Sequence, residues 1–169
     1  MSARLSIIVA VAINNVIGKD GDMPWRLTSD MAHFKRITAG KPVLMGRKTW
    51  QSLFVQPLPG RENLVLSRDS GFAVKGAMVF NDLTAMIAKG KELAGANGEV
   101  IIIGGGVLYE AALPLSDRVY LTRVSANPDG DTYFPELDAK TWQLVKQQPY
   151  PADDKNDHAF VIQVFDRVD

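Results

Sequence analysis

The chain reads as an α/β protein. It is expected to be one domain over residues 1–169, with a mostly parallel central sheet of about eight strands, an antiparallel strand at the C-terminal edge and about four flanking helices. Three observations lead there. The apolar runs at residues 5–13 and 99–103 are nearly continuous in Ile, Val and Ala, the pattern of strands covered on both faces rather than one. Between such runs stand segments with apolar residues three and four apart, and parallel strands require such helical crossovers. Glycine closes two of the runs just before a helix begins, at Gly46 and at Gly104, and open α/β sheets bind ligands at such strand ends.

Taken in order, residues 5–13 form the first strand, ending at Asn14-Asn15. The pattern resumes at Val16-Ile17 and opens into Gly18-Lys19-Asp20-Gly21-Asp22, a loop closed by Met23-Pro24-Trp25. Its position fits a closing lid as well as a plain connector. The next helix carries Leu27, Met31, Phe34 and Ile37 on one stripe. Residues 42–46 read as a strand, 47–53 as a short helix, and 63–67 and 77–80 as strands. Helix 82–93 turns Leu83, Met86 and Ile87 inward, with Leu93 as a fourth candidate. Strand 99–103 ends in Gly104-Gly105-Gly106, and helix 107–113 is stopped by Pro114. Runs 118–124, 142–146 and 159–165 complete the strands; they lack intervening helices, which predicts the antiparallel edge. The polar stretch 149–156 reads as a hairpin loop.

Bulk composition narrows the chemistry. Lys+Arg 19 against Asp+Glu 19 leaves no net field to draw nucleic acid or an anionic membrane, so an anionic ligand needs local cations. The absence of cysteine removes disulfides, a thiolate nucleophile and cysteine metal sites. The two histidines, His33 and His158, read as surface or packing residues, so neither a metal centre nor triad chemistry is expected. No apolar run approaches the ~20 residues of a membrane span, and the N-terminus is not a signal peptide, so a cytoplasmic protein is expected.

Asp30 stands between Leu27 and Phe34 on the apolar stripe, away from Lys35 and Arg36. A carboxylate among apolar neighbours is costly unless paired, and a heterocycle offering two N–H donors would pair it. The competing reading is an acid in the first helical turn that caps free N–H groups.

Three junctions suit anions. Gly104-Gly105-Gly106 leads a buried strand into a helix start, where free N–H groups favour a pyrophosphate, although a tight turn alone explains glycine equally well. Gly46-Arg47-Lys48-Thr49 sets two cations at a helix N-terminus, against the macrodipole, so an anion must compensate. Ser67-Arg68 ends a strand with the groups a 2′-phosphate requires. Together they favour NADP over NAD. Arg61 follows the rigid Pro57-Leu58-Pro59-Gly60 turn, which suits either bidentate carboxylate capture or a structural ion pair.

These segments, with Lys41-Pro42-Val43-Leu44-Met45 before Gly46, Trp50 after Thr49, Tyr109-Glu110, Tyr120-Leu121-Thr122 and Gly130-Asp131-Thr132-Tyr133-Phe134-Pro135, span nearly the whole chain. As an ordered set the chain resembles the dihydrofolate reductases of the bacterial chromosomal type. The resemblance implies NADPH-dependent reduction of 7,8-dihydrofolate to 5,6,7,8-tetrahydrofolate in one-carbon metabolism. Hydride would pass to pterin C6 while N5 is protonated. Dihydrofolate and antifolate inhibitors would be the partners, and the enzyme a monomer. Asp30 would bind the pterin's 2-amino group and N3–H, with Thr122 supporting it. By the same resemblance Asp30 would lie too far from N5 to give the proton directly, and water admitted near Met23 would do so. Trp25 and Tyr109 complete the catalytic set. Ile8, Val9, Ala10, Met31, Phe34, Lys35, Leu53 and Ile103 would line the substrate, and Arg61 would hold the α-carboxylate of its glutamate tail. Ala10, Ile17, Gly18, Lys19, Asp20, Gly21, Asp22, Met23, Ile103 and Tyr109 would surround the nicotinamide. Gly46, Arg47, Lys48, Thr49, Leu66, Ser67 and Arg68 would hold the adenosine phosphates, and Gly104, Gly105, Gly106, Val107 and Leu108 the pyrophosphate.

Some positions depart from the family pattern. Phe54-Val55-Gln56 replaces an expected glycine and basic residue, with one residue inserted. Thr28 replaces a proline and His33 a tryptophan, and Met31 alters antifolate fit. Two rivals remain: a related reductase such as the riboflavin-synthesis domain, which needs neither Arg61 nor the Met23 to Asp30 segment, and a module that binds NADP or folate without turnover.

Overall fold

A computed structural model describes residues 3–18 and 25–168 of the protein. Its elements are β1 (Arg4–Ala12), β2 (Val16–Gly18), α1 (Thr28–Thr38), β3 (Val43–Gly46), α2 (Arg47–Ser52), β4 (Asn63–Leu66), β5 (Met78–Phe80), α3 (Leu83–Ala94), β6 (Glu99–Gly104), α4 (Gly106–Ala112), β7 (Arg118–Val124), β8 (Thr132–Tyr133), β9 (Trp142–Tyr150) and β10 (Phe160–Arg167). Eight strands form one sheet in the order β5-β4-β3-β6-β1-β7-β10-β9. Pairings from β5 across to β7 are parallel, and β10 runs antiparallel to both β7 and β9. The expected architecture is therefore present. The antiparallel strand β10 sits inside the edge, and β9 is the edge itself.

β1 lies near the middle because both of its faces are greasy. Leu5, Ile7, Val9 and Val11 face Met86, Ile87, Leu108 and Tyr109 on the α3/α4 side. Ile8 joins Val43, Met45, Trp50 and Tyr120 on the other side, where Phe34 and Ile37 of α1 pack. This period-two division is what a continuous apolar run means in a strand covered twice. Each aliphatic side chain so buried contributes about 1.5–3 kcal/mol.

The α1 stripe is less regular than its spacing predicts. The fully buried residues of α1 are His33 and Thr38, whereas Met31 is exposed and Phe34 and Ile37 are half-buried. The start of the helix borders a cavity lined by Trp25, Leu27, Asp30 and Met31. On α3, Leu93 is exposed, and Gly90 takes the inward position instead. A Cβ on Gly90 would meet Val100 Cγ1 at 2.9 Å, so only glycine lets α3 approach β6 this closely. The 149–156 stretch is more than a hairpin loop: β9 runs on to Tyr150, and the rest reaches back to α1. The short pairing of β8 with β2, Thr132 opposite Gly18 and Tyr133 opposite Val16, has no period-two signature in the sequence.

Candidate active site

The groove lies over the C-terminal ends of the parallel strands. Thr122 stands opposite Ala10 in the β1–β7 register, and Thr122 Oγ1 donates a hydrogen bond to Asp30 Oδ1 at 2.6 Å. Among the described residues no cation pairs with this carboxylate. Burial pushes its pKa up and the Thr122 hydrogen bond only partly opposes that. Asp30 is not the helix cap: Leu27 occupies the N-cap without a side-chain bond. The free N–H groups of the first turn are met from the β9–β10 loop, Ser29 N–H donating to Asn156 Oδ1 at 3.1 Å and Thr28 N–H to Lys155 O at 3.1 Å. With the capping done elsewhere, the Asp30 carboxylate is left facing the groove, lining a cavity of about 220 Å³ with Trp25, Leu27 and Met31.

The other side of the groove is backbone. Tyr109 OH lies 2.8 Å from both Ile8 O and Ile103 O. One hydroxyl proton serves one carbonyl at a time, so lone pairs on these oxygens stay available for N–H donors of a ligand. Burial, and secondarily the Asp30 charge, push the Tyr109 hydroxyl well above its usual range, so it remains a neutral donor. Phe34 and Leu53 are half-buried members of one apolar cluster that also holds Ile8 and Ile103, which brings α1, α2, β1 and β6 together. Lys35 is exposed on α1. Phe54 is fully exposed beyond Leu53, on a loop tethered by Gln56 Nε2 donating to Trp50 O at 2.6 Å.

Arg61 is fixed as its turn suggests. Its Nε donates to Pro59 O at 2.9 Å and its Nη1 to Thr38 Oγ1 at 2.9 Å. It has no carboxylate partner among the described residues. An oriented, half-buried guanidinium with unused donors is prepared for an anion.

At the C-terminal ends of β3, β4 and β6 the three junctions lie side by side. A Cβ on Gly46 would lie 3.9 Å from Gly105 N, and one on Gly105 would lie 3.3 Å from Thr49 Oγ1. Gly105 is the N-cap of α4, with no side chain capping that helix. A Cβ on Gly106 would strike Thr132 Cγ2 at 2.5 Å and approach Ile17 Cδ1 at 3.8 Å, which puts β2 and β8 against the glycine segment. Ser67 is buried at the end of β4, while Lys48 and Arg68 are exposed and without ion partners among the described residues. Leu66 is half-buried and Val107 exposed; the Leu108 side chain is in the core, so only its main chain could meet a ligand. Lys19, Asp20, Gly21, Asp22 and Met23 lie outside the described residues. Sequence reasoning missed Asn156, Asp69 and Phe72: the last two lie against Arg47, Asp69 at an ion contact of 3.5 Å and Phe72 with its ring centroid 4.2 Å from the guanidinium. None of the three carries a spacing or motif that points to those partners.

A doubly covered α/β sheet whose strand ends carry a half-buried carboxylate, an oriented guanidinium and glycine-rich strand-to-helix junctions has the layout of a dinucleotide-dependent oxidoreductase. The comparisons with known proteins make this specific. Residues 4–167 match the family model described as dihydrofolate reductase. The chain is 47% identical over 155 residues to a type 3 dihydrofolate reductase of Salmonella typhimurium, covering 92% of this chain and 93% of that one. It is 42% identical over 151 residues to the Haemophilus influenzae dihydrofolate reductase, covering 89% and 91%. A solved Enterococcus faecalis dihydrofolate reductase, complexed with NADP(H) and RAB-propyl, superposes with a TM-score of 0.90 at 30% identity, covering 100% of each chain. The chain belongs to the dihydrofolate reductase family. It is an NADP-dependent oxidoreductase that reduces dihydrofolate to tetrahydrofolate.

Proposed function

We propose that the groove divides the reduction among its residues as follows. Asp30 binds the pterin edge through two N–H donors, and Thr122 holds the carboxylate in register. The observation that carries this is a half-buried carboxylate that, among the described residues, has one neutral donor and no cation, since a ligand with paired N–H groups offsets its desolvation. Ile8 and Ile103 present carbonyls, with Val9 and Ala10 beside them on β1; Met31, Phe34 and Leu53 contact the flat rings. Arg61 clamps the α-carboxylate of the substrate tail, and exposed Lys35 adds long-range attraction.

The residues present fit NADPH: N–H groups at α4 without a side-chain cap, Lys48 and Arg68 without ion partners among the described residues, and buried Ser67 stand at adjoining strand ends. When bound, its dihydronicotinamide supplies the hydride for pterin C6. Ile17, Gly18 and Tyr109 confine that ring, Gly104, Gly105, Gly106, Val107 and Leu108 hold the pyrophosphate by main chain, and Gly46, Arg47, Thr49, Leu66, Ser67 and Arg68 bracket the adenosine end. The Asp30 charge favours protonation at N5 by water; it acts through space rather than as the direct donor. Trp25 walls the water side beside Asp30, and Lys19, Asp20, Gly21, Asp22 and Met23 keep the cofactor-side roles expected from the sequence. The enzyme works as a monomeric, single-domain protein of the cytoplasm, and antifolates compete for the same groove.

The test is loss of reduced-nicotinamide absorbance on adding dihydrofolate, with NADPH and NADH compared and Asp30→Asn alongside. Rapid NADPH-dependent turnover that collapses in D30N supports the assignment; normal turnover by D30N at neutral pH sinks it.

A further inference from the structure

The guanidinium of Arg47 is already occupied. Its Nη1 lies 3.5 Å from Asp69 Oδ2, and its face lies 4.2 Å from the centroid of the Phe72 ring. Both partners come from the loop that follows β4, immediately after Ser67-Arg68. Asp69 is held there by its own local bonds: its N–H donates to Ser67 Oγ at 3.1 Å, and its Oδ1 accepts from Gly71 N–H at 2.8 Å. A carboxylate therefore sits inside the cluster of Arg47, Ser67 and Arg68 that offers donors to a phosphate.

We propose that Asp69 is a specificity-determining residue: a built-in competitor for the 2′-phosphate that Arg47 would otherwise hold, lowering the enzyme's preference for NADPH over NADH. This rests on the reading that Arg47, Ser67 and Arg68 form the phosphate end of the cofactor groove. Asp69 does not serve mainly to orient Arg47. The 3.5 Å ion contact is too long for a strong hydrogen bond, while the Phe72 ring at 4.2 Å already fixes the guanidinium plane. What remains of Asp69 is its charge. A 2′-phosphate brings about −1.5 to −2 charges at neutral pH, and beside a carboxylate in a solvated cleft such a charge meets a repulsion worth roughly three- to tenfold in affinity. NADH lacks the phosphate and does not feel it.

Equilibrium binding of NADPH and of NADH, followed by quenching of intrinsic tryptophan fluorescence without substrate, tests this on wild type, Asp69→Asn and Arg47→Gln. D69N keeps an oxygen for the Gly71 N–H and removes the charge. The expected result is NADPH binding tightened about three- to tenfold with NADH changed less than about twofold. That gain should shrink in high salt and again below about pH 6, where the phosphate takes up its second proton. If D69N weakens NADPH, Asp69 orients Arg47 and the proposal is overturned; an unchanged NADPH-to-NADH ratio overturns it equally. R47Q separates this from the underlying reading. If R47Q loses NADPH preference while D69N changes nothing, only the competitor role fails; if R47Q also keeps the full preference, the phosphate end itself has been misplaced and both fall.

Discussion

Where the parallel strands begin, Glu99 accepts from Ser6 Oγ at 2.7 Å, from Lys41 Nζ at 2.8 Å and from Tyr120 OH at 2.8 Å, and Arg118 grips Asp166 in a two-pronged pair at 2.6 and 3.0 Å. Where the same strands end, Asp30 has one hydroxyl, and Arg61 has a carbonyl and a hydroxyl, with no counter-ion for either among the described residues. A hollow of about 560 Å³, larger than the one beside Asp30, opens at the first end beside Arg4, Lys41, Asn97 and Glu99, yet its Lys41 and Glu99 neutralise each other. Volume alone therefore misleads. The end proposed to bind the ligand is the one where charge has no counter-ion among the described residues, because a preorganised charge can stabilise a substrate only if the protein has not already consumed it.

The largest expected break in this contrast is at Asp30. D30N should lower turnover at neutral pH by about a hundredfold or more and at the same time raise the melting temperature of the unliganded protein. The sign follows from burial: a carboxyl whose folded pKa is raised above its ordinary 3.8 costs the fold stability once pH exceeds that value. The stabilisation should open as pH rises above about 3.8 and vanish below it. A D30N protein that is both inactive and less stable than wild type would mean that Asp30 is structural.

Arg61 comes next. R61L should raise KM for dihydrofolate roughly ten- to a hundredfold, the worth of a charge-assisted hydrogen-bond pair, with kcat nearly unchanged. A pterin substrate lacking the glutamate tail should bind both proteins alike, which steady-state kinetics on the two substrates will show. Equal loss on both would place Arg61 in the scaffold instead.

At the opposite end the prediction inverts. Burial pushes the Glu99 carboxyl up, but hydrogen bonds from Lys41, Ser6 and Tyr120 and the Lys41 charge outweigh it and hold it below its usual 4.5. Its stabilisation is present above that value and is lost as pH falls through the lower folded one. E99Q should cost about 1–3 kcal/mol in denaturant unfolding at neutral pH, since three donors lose a charged acceptor, while kcat/KM stays within about twofold. A kinetic defect as large as that of D30N would erase the distinction between the two ends.

Much of this arrangement was legible in the residues because the sheet is buried on both faces. Continuous apolar runs cannot alternate, so β1 and β6 declared themselves, and the glycines at β3 and β6 marked where strands give way to helices. Asp30 was legible because a carboxylate on an apolar stripe conflicts with its neighbours. What stayed hidden is contact across long stretches of chain. Nothing near Asn156 indicates that it caps α1, 127 residues away, and nothing near Asp69 says that Arg47 will lie beside it. Pattern reveals which face of an element is buried; it does not reveal which polar side chain of a distant loop will satisfy a given N–H or charge. β8, two residues long, is too short to hold a period at all.

His33 gives the smallest effect and the finest probe, because it belongs to neither end. It is buried on α1, one turn beyond Asp30, edge-on to Tyr120 at 6.3 Å, and its Nε2 has no hydrogen-bond partner among the described residues. Burial, reinforced by the Arg36 charge, lowers its pKa from 6.5 to about 4. The unfolded chain therefore binds a proton that the folded chain refuses, so this residue makes stability fall as pH drops from about 6.5 towards about 4. H33F removes both the unsatisfied nitrogen and the titration. Its unfolding free energy should match or exceed that of wild type at pH 7, and its decline between pH 6.5 and 4 should be shallower. Urea melts across that window at constant ionic strength measure the two slopes. Parallel slopes would mean that His33 is protonated in the fold and paired in solution, and that the groove side of α1 carries a charge that the contrast between the two ends leaves out.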